Sequence, residues 1–314
     1  MNTAGMLVGL LCLVLPASLS GQLPADDPKP EGVSLLGRPL YPPALSPETR
    51  QKLEANYAAA KAAFDKDPNN EENIIWLGRR AAYLSRFREA IRIFSDGIAK
   101  HPRSYKLYRH RGHRYITLRE LDKAVADLTR ASRLIRNVPN QVEPDGAPNP
   151  KNIPTGTSHT SIWYHLGLAH YLKGDFEKAY RAYRECLKLA TNDDMKVATA
   201  DWMYMTLRRL GREREAQKVL EPIRPDMNIV ENFSYHNRLL MYKGLKTPEA
   251  ILSLDTSDPT QLATQGYGVG NWYLYNGQKE KARQVFEKVI AGTGWPAFGF
   301  LAAEADLKRI RGLR

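Results

Sequence analysis

The sequence predicts an all-α solenoid, a stack of helical hairpins that grows along one axis, and three spacings predict it. Gly78 and Gly112 stand 34 residues apart, as do Ala90 and Ala124, and Pro68 and Pro102. A fixed interval of that size marks repeated helical hairpins, each too small to bury its apolar face alone, so neighbours must stack. The 43% of hydrophobic residues suffices for a core running the length of the stack. At 314 residues, length adds repeats rather than further domains.

The chain opens on an apolar run, Met6 to Leu19, with small residues at its end, Ser18, Ser20 and Gly21, and a polar start at Asp26 and Asp27. Residues 1–21 therefore read as a secretory signal peptide, and the expected location is periplasmic or secreted. The run is short for a membrane span, so no transmembrane helix is expected after cleavage. Cys12 lies within the signal. Its removal leaves Cys186 alone, unable to form an internal disulfide, and packing must supply the stability. Residues 22–46 are proline-rich and read as an extended lead-in.

The α-solenoid is placed at 47–311. Ser46 can cap a first helix at 47–67, with Pro47 suited to its first position and Glu48 to its positive end. The repeat at 71–104 places Ile74, Leu77, Gly78 and Ala81 on one helix, and Ala90, Phe94 and Gly97 on the next, with Pro102 closing it. The repeat at 105–138 keeps Tyr108, Gly112, Tyr115, Ala124, Leu128 and Ala131 but loses the closing proline. An insertion at 137–158, carrying Pro139, Pro144, Pro148, Pro150 and Pro154, has no periodicity and reads as a loop. The pattern resumes at 160–193 with Trp163, Leu166, Gly167, Ala179, Tyr183 and Cys186. Weaker units follow at 197–230 and, degenerate, at 231–256. A clearer one stands at 263–296, and a last helix at 296–311 would cover the open end. Small residues sit where two helices touch, the aromatic fills the gap to the next hairpin, and proline ends the helix.

These residues resemble the tetratricopeptide repeat, whose pattern is a large residue, Leu-Gly, an aromatic, Ala, Phe, a small residue and Pro. The turn Lys173-Gly174-Asp175-Phe176-Glu177-Lys178-Ala179 carries the resemblance most strongly. It implies a right-handed superhelix with a concave groove lined by the first helix of each hairpin. Helical spacing then places Arg79, Tyr83, Lys106, Arg109, His113, Tyr164 and Tyr171 on the groove. Members that clamp chaperone carboxylates use Lys and Asn where this chain has Ile75 and Arg79, a departure that argues against that ligand.

Charge narrows the partner. The net charge is +12, and residues 101–136 hold ten Lys or Arg against three acids. A basic band beside aromatics suits an acidic or extended peptide, because arginine grips carboxylates through paired hydrogen bonds. Arginine-rich helix faces are also simply solvated faces. The same band would serve for an anionic envelope polymer or a membrane surface. Specific nucleic-acid recognition is not expected of an exported chain. His110 and His113 are three apart on one helix, but Arg109, Arg111 and Arg114 flank them and no acid or cysteine ligand is near, so no metal is expected. Phosphate-loop, HExxH and GxSxG motifs are lacking, and Gly266-Tyr267-Gly268-Val269-Gly270 follows no strand. The expectation is a non-catalytic protein-interaction scaffold without a cofactor. An enzyme built on the degenerate middle repeats is the weakest alternative.

Overall fold

A computed structural model describes residues 29–252 and 258–313. The apolar leader at 1–21 lies outside the described residues. Part of the lead-in is not merely extended. Strand β1 (Gly32–Val33) pairs antiparallel with β2 (Pro39–Leu40), and the ribbon turns at Gly37, whose φ of 82° favours glycine. The Ser34 hydroxyl accepts from the amides of Leu36 and Arg38, while Leu40 is buried.

Helices then follow in pairs. Helix α1 (Pro47–Lys66) lies against the first full hairpin, α2 (Glu71–Tyr83) with α3 (Phe87–Lys100). The second hairpin is α4 (Tyr105–Thr117) with α5 (Leu121–Leu134), and the third is α6 (Ser158–Lys173) with α7 (Phe176–Leu189). Next come α8 (Asp193–Arg209) with α9 (Glu213–Leu220), α10 (Phe233–Tyr242) with the single turn and a half of α11 (Pro248–Leu252), and α12 (Pro259–Tyr275) with α13 (Lys279–Ala291). Helix α14 (Phe298–Ile310) is last. Starts are set by side-chain caps: Ser46, Asn70, Ser104, Thr157, Asn192 and Asp258 each accept from amides of the first turn. Within hairpins the packing is close. A Cβ at Gly78 would sit inside the Phe94 ring, which is itself fully buried. Burial of a side chain that size contributes about 2–3 kcal/mol.

The stack does not stay open along its length. Helix α14 packs on α12 and α13, and also reaches α6. The Phe87 ring meets Trp295 edge to face with centroids 5.4 Å apart, and the Trp295 indole N–H donates to the Tyr41 carbonyl at 2.7 Å. Arg119, at the turn between α4 and α5, pairs with Glu304 of α14 at 2.9 Å, both side chains buried. The early repeats and the last helix therefore touch, and the inner face of the later repeats is closed by the chain itself.

Candidate ligand groove

What stays accessible lies between α2 and α4. The two helices carry equivalent positions 34 residues apart, so Glu72 answers Lys106, Ile75 answers Arg109, and Arg79 answers His113. The first of these pairs is an ion pair across the helices.

The inserted segment between α5 and α6 folds back over this face. Its ends are tied by an antiparallel bridge between Val142 and Thr157 and by a 3.1 Å bond from the Glu143 amide to the Gly156 carbonyl. From there the chain crosses to α2. Arg79 donates to the Pro144 carbonyl and Arg80 to the Gly146 carbonyl, each at 2.8 Å. Arg109 holds the Glu143 carboxylate at 3.0 Å. Gly146 lies against the hydroxyl end of the Tyr83 ring, where a Cβ would collide. Farther along, Asn149 and Thr155 bond the Glu231 carboxylate, and Asp194 accepts the amides of Val230, Glu231 and Asn232 to fix that anchor. The segment is thus held to α2, to α4 and to the loop before α10.

This roof divides the groove in two. Outside it is a slot of about 280 Å³ lined by Ile75, Trp76, Tyr105, Lys106, Val142 and Pro144 among others. Arg79 stacks on the Trp76 ring, its Cζ 4.4 Å from the centroid. Beneath it is a cavity of about 220 Å³, lined by Arg79, Tyr83, Arg109, His113, Arg114 and Asp145 among others. Burial lowers the basicity of Arg109, and brings Arg114 down to about 10, which leaves both charged at neutral pH. Burial, with the neighbouring arginines, holds His110 and His113 well below the ordinary imidazole range, so both are neutral. Accordingly, Arg109 donates to His110 Nδ1 at 2.9 Å.

Of the seven residues assigned to the groove from the sequence, five meet here: Arg79, Tyr83, Arg109 and His113 on the cavity, and Lys106 on the slot. Tyr164 and Tyr171 do not join them. Tyr171 is fully buried, sharing a 2.6 Å hydroxyl contact with Tyr267 and accepting from Asn271 at 3.1 Å. Tyr164 is 7% exposed and bonds Tyr235 at 3.2 Å. Both lie on α6, whose inner face is covered by α8 and α14, so neither can meet a ligand in the groove. His110 stacks on Phe94, and His113 packs on His165 and Phe298. Among the described residues no cluster of three His, Cys, Asp or Glu could hold a metal ion. The basic band is half neutralised internally, through Lys106–Glu72, Arg109–Glu143, Arg111–Asp127, Arg119–Glu304 and Lys123–Glu120. The spacing argument missed Arg80, Arg114 and the docking of Glu143–Gly146. The acids inside a proline-rich insertion beside a basic band were the available signal.

A stack of helical hairpins with a lined inner face is the architecture of a protein-interaction scaffold. Residues 161–193, which span the third hairpin, match the family model of the tetratricopeptide repeat. No curated protein matches it at significance. Solved structures similar to it include a tetratricopeptide repeat protein from Parabacteroides merdae, with 17% identity over 82% of this chain and 93% of that one and a TM-score of 0.48. Another is YrrB, a TPR protein with an unusual peptide-binding site, with 16% identity over 79% and 98% and a TM-score of 0.42. A third is the Cut9–Hcn1 assembly of the APC/C, with 16% identity over 77% and 43% and a TM-score of 0.49. None of their sites is carried over to this chain. Among the described residues no helix is long and apolar enough to cross a membrane.

Proposed function

We propose that the protein is an exported scaffold that holds an extended acidic segment of a partner protein in the slot between α2 and α4. One observation supports this most: the same face already holds such a segment in cis. Arg79 and Arg80 take the carbonyls of Pro144 and Gly146, and Arg109 takes the Glu143 carboxylate. The adjoining slot repeats that chemistry, with Lys106 and Arg79 at its rim and the flat faces of Trp76 and Tyr105 for apolar contact. Lys106 pairs with Glu72 alone among the described residues, and Lys106 is half-buried and Glu72 exposed, so a partner carboxylate can exchange into that pair at modest cost. No catalytic role is assigned to any of these groups.

The test is capture of partners from an envelope extract by wild type and by a Trp76→Ala/Lys106→Glu variant. The variant should lose the bands that wild type retains; equal recovery of every band would end the proposal. Export is tested separately, by the N-terminal residue of the mature chain, which the reading places near position 21.

A second reading rests on Arg130 and Arg133 of α5 and Arg136 just beyond it, all exposed and without an ion pair among the described residues. They would attract an anionic envelope polymer. Binding of that kind falls steeply with salt, whereas the slot keeps its apolar share.

A further inference from the structure

The cavity under the roof carries a charge that the protein does not balance. Arg79, Arg109 and Arg114 line it against Glu143 and Asp145. Arg109 is committed to Glu143, and Arg79 uses a nitrogen on the Pro144 carbonyl. The half-buried Arg114 side chain makes no hydrogen bond and no ion pair among the described residues; its guanidinium lies over the Phe87 ring, 5.6 Å from Cζ to the centroid. The Arg109 Nε and one Asp145 oxygen are buried and unsatisfied as well. A buried polar group left open in a folded protein calls for a water or an ion. The neutral His113 ring also faces the cavity, and Ser161 lines it, adding N–H and O–H donors. Three arginines thus face two carboxylates across the cavity.

We infer that this cavity is a binding site for a small oxyanion carrying more than one negative charge, with Arg114 as its principal charge partner and the Glu143–Ala147 segment as its roof. Asp145 sets the opposing term, and selects for ligands that reach Arg114 and His113 while leaving that carboxylate aside. The site adjoins the slot proposed for a partner segment and shares Arg79, Arg109 and Glu143 with it, but Arg114 and His113 do not line the slot and Trp76 and Lys106 do not line the cavity. The inference stands whether or not the slot binds a peptide.

Three probes separate the sources of the chemistry: inorganic phosphate, sulfate and citrate, each titrated calorimetrically into the intact protein at fixed ionic strength against a chloride control. At least one should bind with saturation. Arg114→Met should weaken that binding about tenfold or more, the loss expected for one charge-assisted contact. Arg114→Lys, which keeps the charge and loses the fork, should fall between. In anion-free buffer Arg114→Met should be no less thermostable than wild type, because it removes an unpaired cation. Trp76→Ala/Lys106→Glu should bind the anion as wild type does. No saturable binding of any of the three probes, or equal affinity in wild type and Arg114→Lys, would overturn the inference. Should Arg114→Met fail to fold, the wild-type and Arg114→Lys titrations decide it.

Discussion

Replacing Arg119 should expose how far the closure between early repeats and the last helix stabilises the chain. Arg119 has a φ of 64°, a left-handed backbone that Gly174, Gly211 and Gly277 provide at the corresponding turns of other hairpins. Holding a side-chain-bearing residue there costs about 1–2 kcal/mol relative to the right-handed region. The side chain is retained because its Nε binds Glu304 and its Nη2 binds the Trp295 carbonyl at 3.0 Å. Arg119→Met leaves the buried Glu304 without its partner, and should destabilise by about 3–5 kcal/mol. Arg119→Gly loses the same pair but relieves the backbone, and should be less damaging than Arg119→Met by about 1 kcal/mol. Pairing Arg119→Met with Glu304→Leu should restore much of the loss, because apolar groups of like volume tolerate that site better than a lone carboxylate. Urea denaturation followed by far-ultraviolet circular dichroism reads all four proteins. An Arg119→Met variant within about 1 kcal/mol of wild type, the scale of an exposed pair, would refute the claim that this contact closes the fold.

Three further outcomes follow from the interior. Stability should fall on acidification: burial depresses His110 and His113 and takes His165 down to about 3, while each titrates near 6.5 when unfolded. The unfolded chain therefore binds these protons first, and the stability present above pH 6.5 is lost towards pH 3, by up to about 1.4 kcal/mol per pH unit for each ring; a urea midpoint unchanged between pH 7.5 and 5.5 would contradict this. Gly268→Ala, which in an ordinary helix gains about 1 kcal/mol, should instead destabilise by several, since the new methyl would collide with the Arg238 side chain that pairs with Asp201 in the core; thermal unfolding checks it. Cys186 is fully buried and its thiol is pushed up to about 12, so a thiol reagent should label it only in denaturant.

The hairpin architecture was legible because stacking demands the same small and aromatic residues at the same places, as Gly78 under Phe94 shows. The left-handed residue at the turns was legible where it is glycine, and hidden at Ser85 and Arg119. Closure was not legible, because it rests on contacts between residues far apart in sequence, such as Arg119 with Glu304. One sign of it was present. Helix α6 is apolar on nearly all sides, from Ile162 to Leu172, and a helix of that kind is enclosed rather than lining an open wall. The assignment of Tyr164 and Tyr171 to the groove overlooked that. The insertion was recognisable as a loop from its prolines, but its docking depends on arginines meeting backbone carbonyls at Pro144 and Gly146, and carbonyls leave no trace in residue pattern. The lead-in similarly concealed its ribbon, two residues per strand, too short for alternation to register.

The account turns on the roofed face of the first two repeats being where a partner sits. A photo-crosslinking amino acid at Val142, which is 64% exposed on the wall of the slot, tests this directly against the same residue placed at Arg133 on the outer helix. The account predicts a partner adduct from position 142 that is lost in the Trp76→Ala/Lys106→Glu background, and none from position 133. Adducts from 133 alone, or adducts from 142 that survive that double substitution, would contradict it.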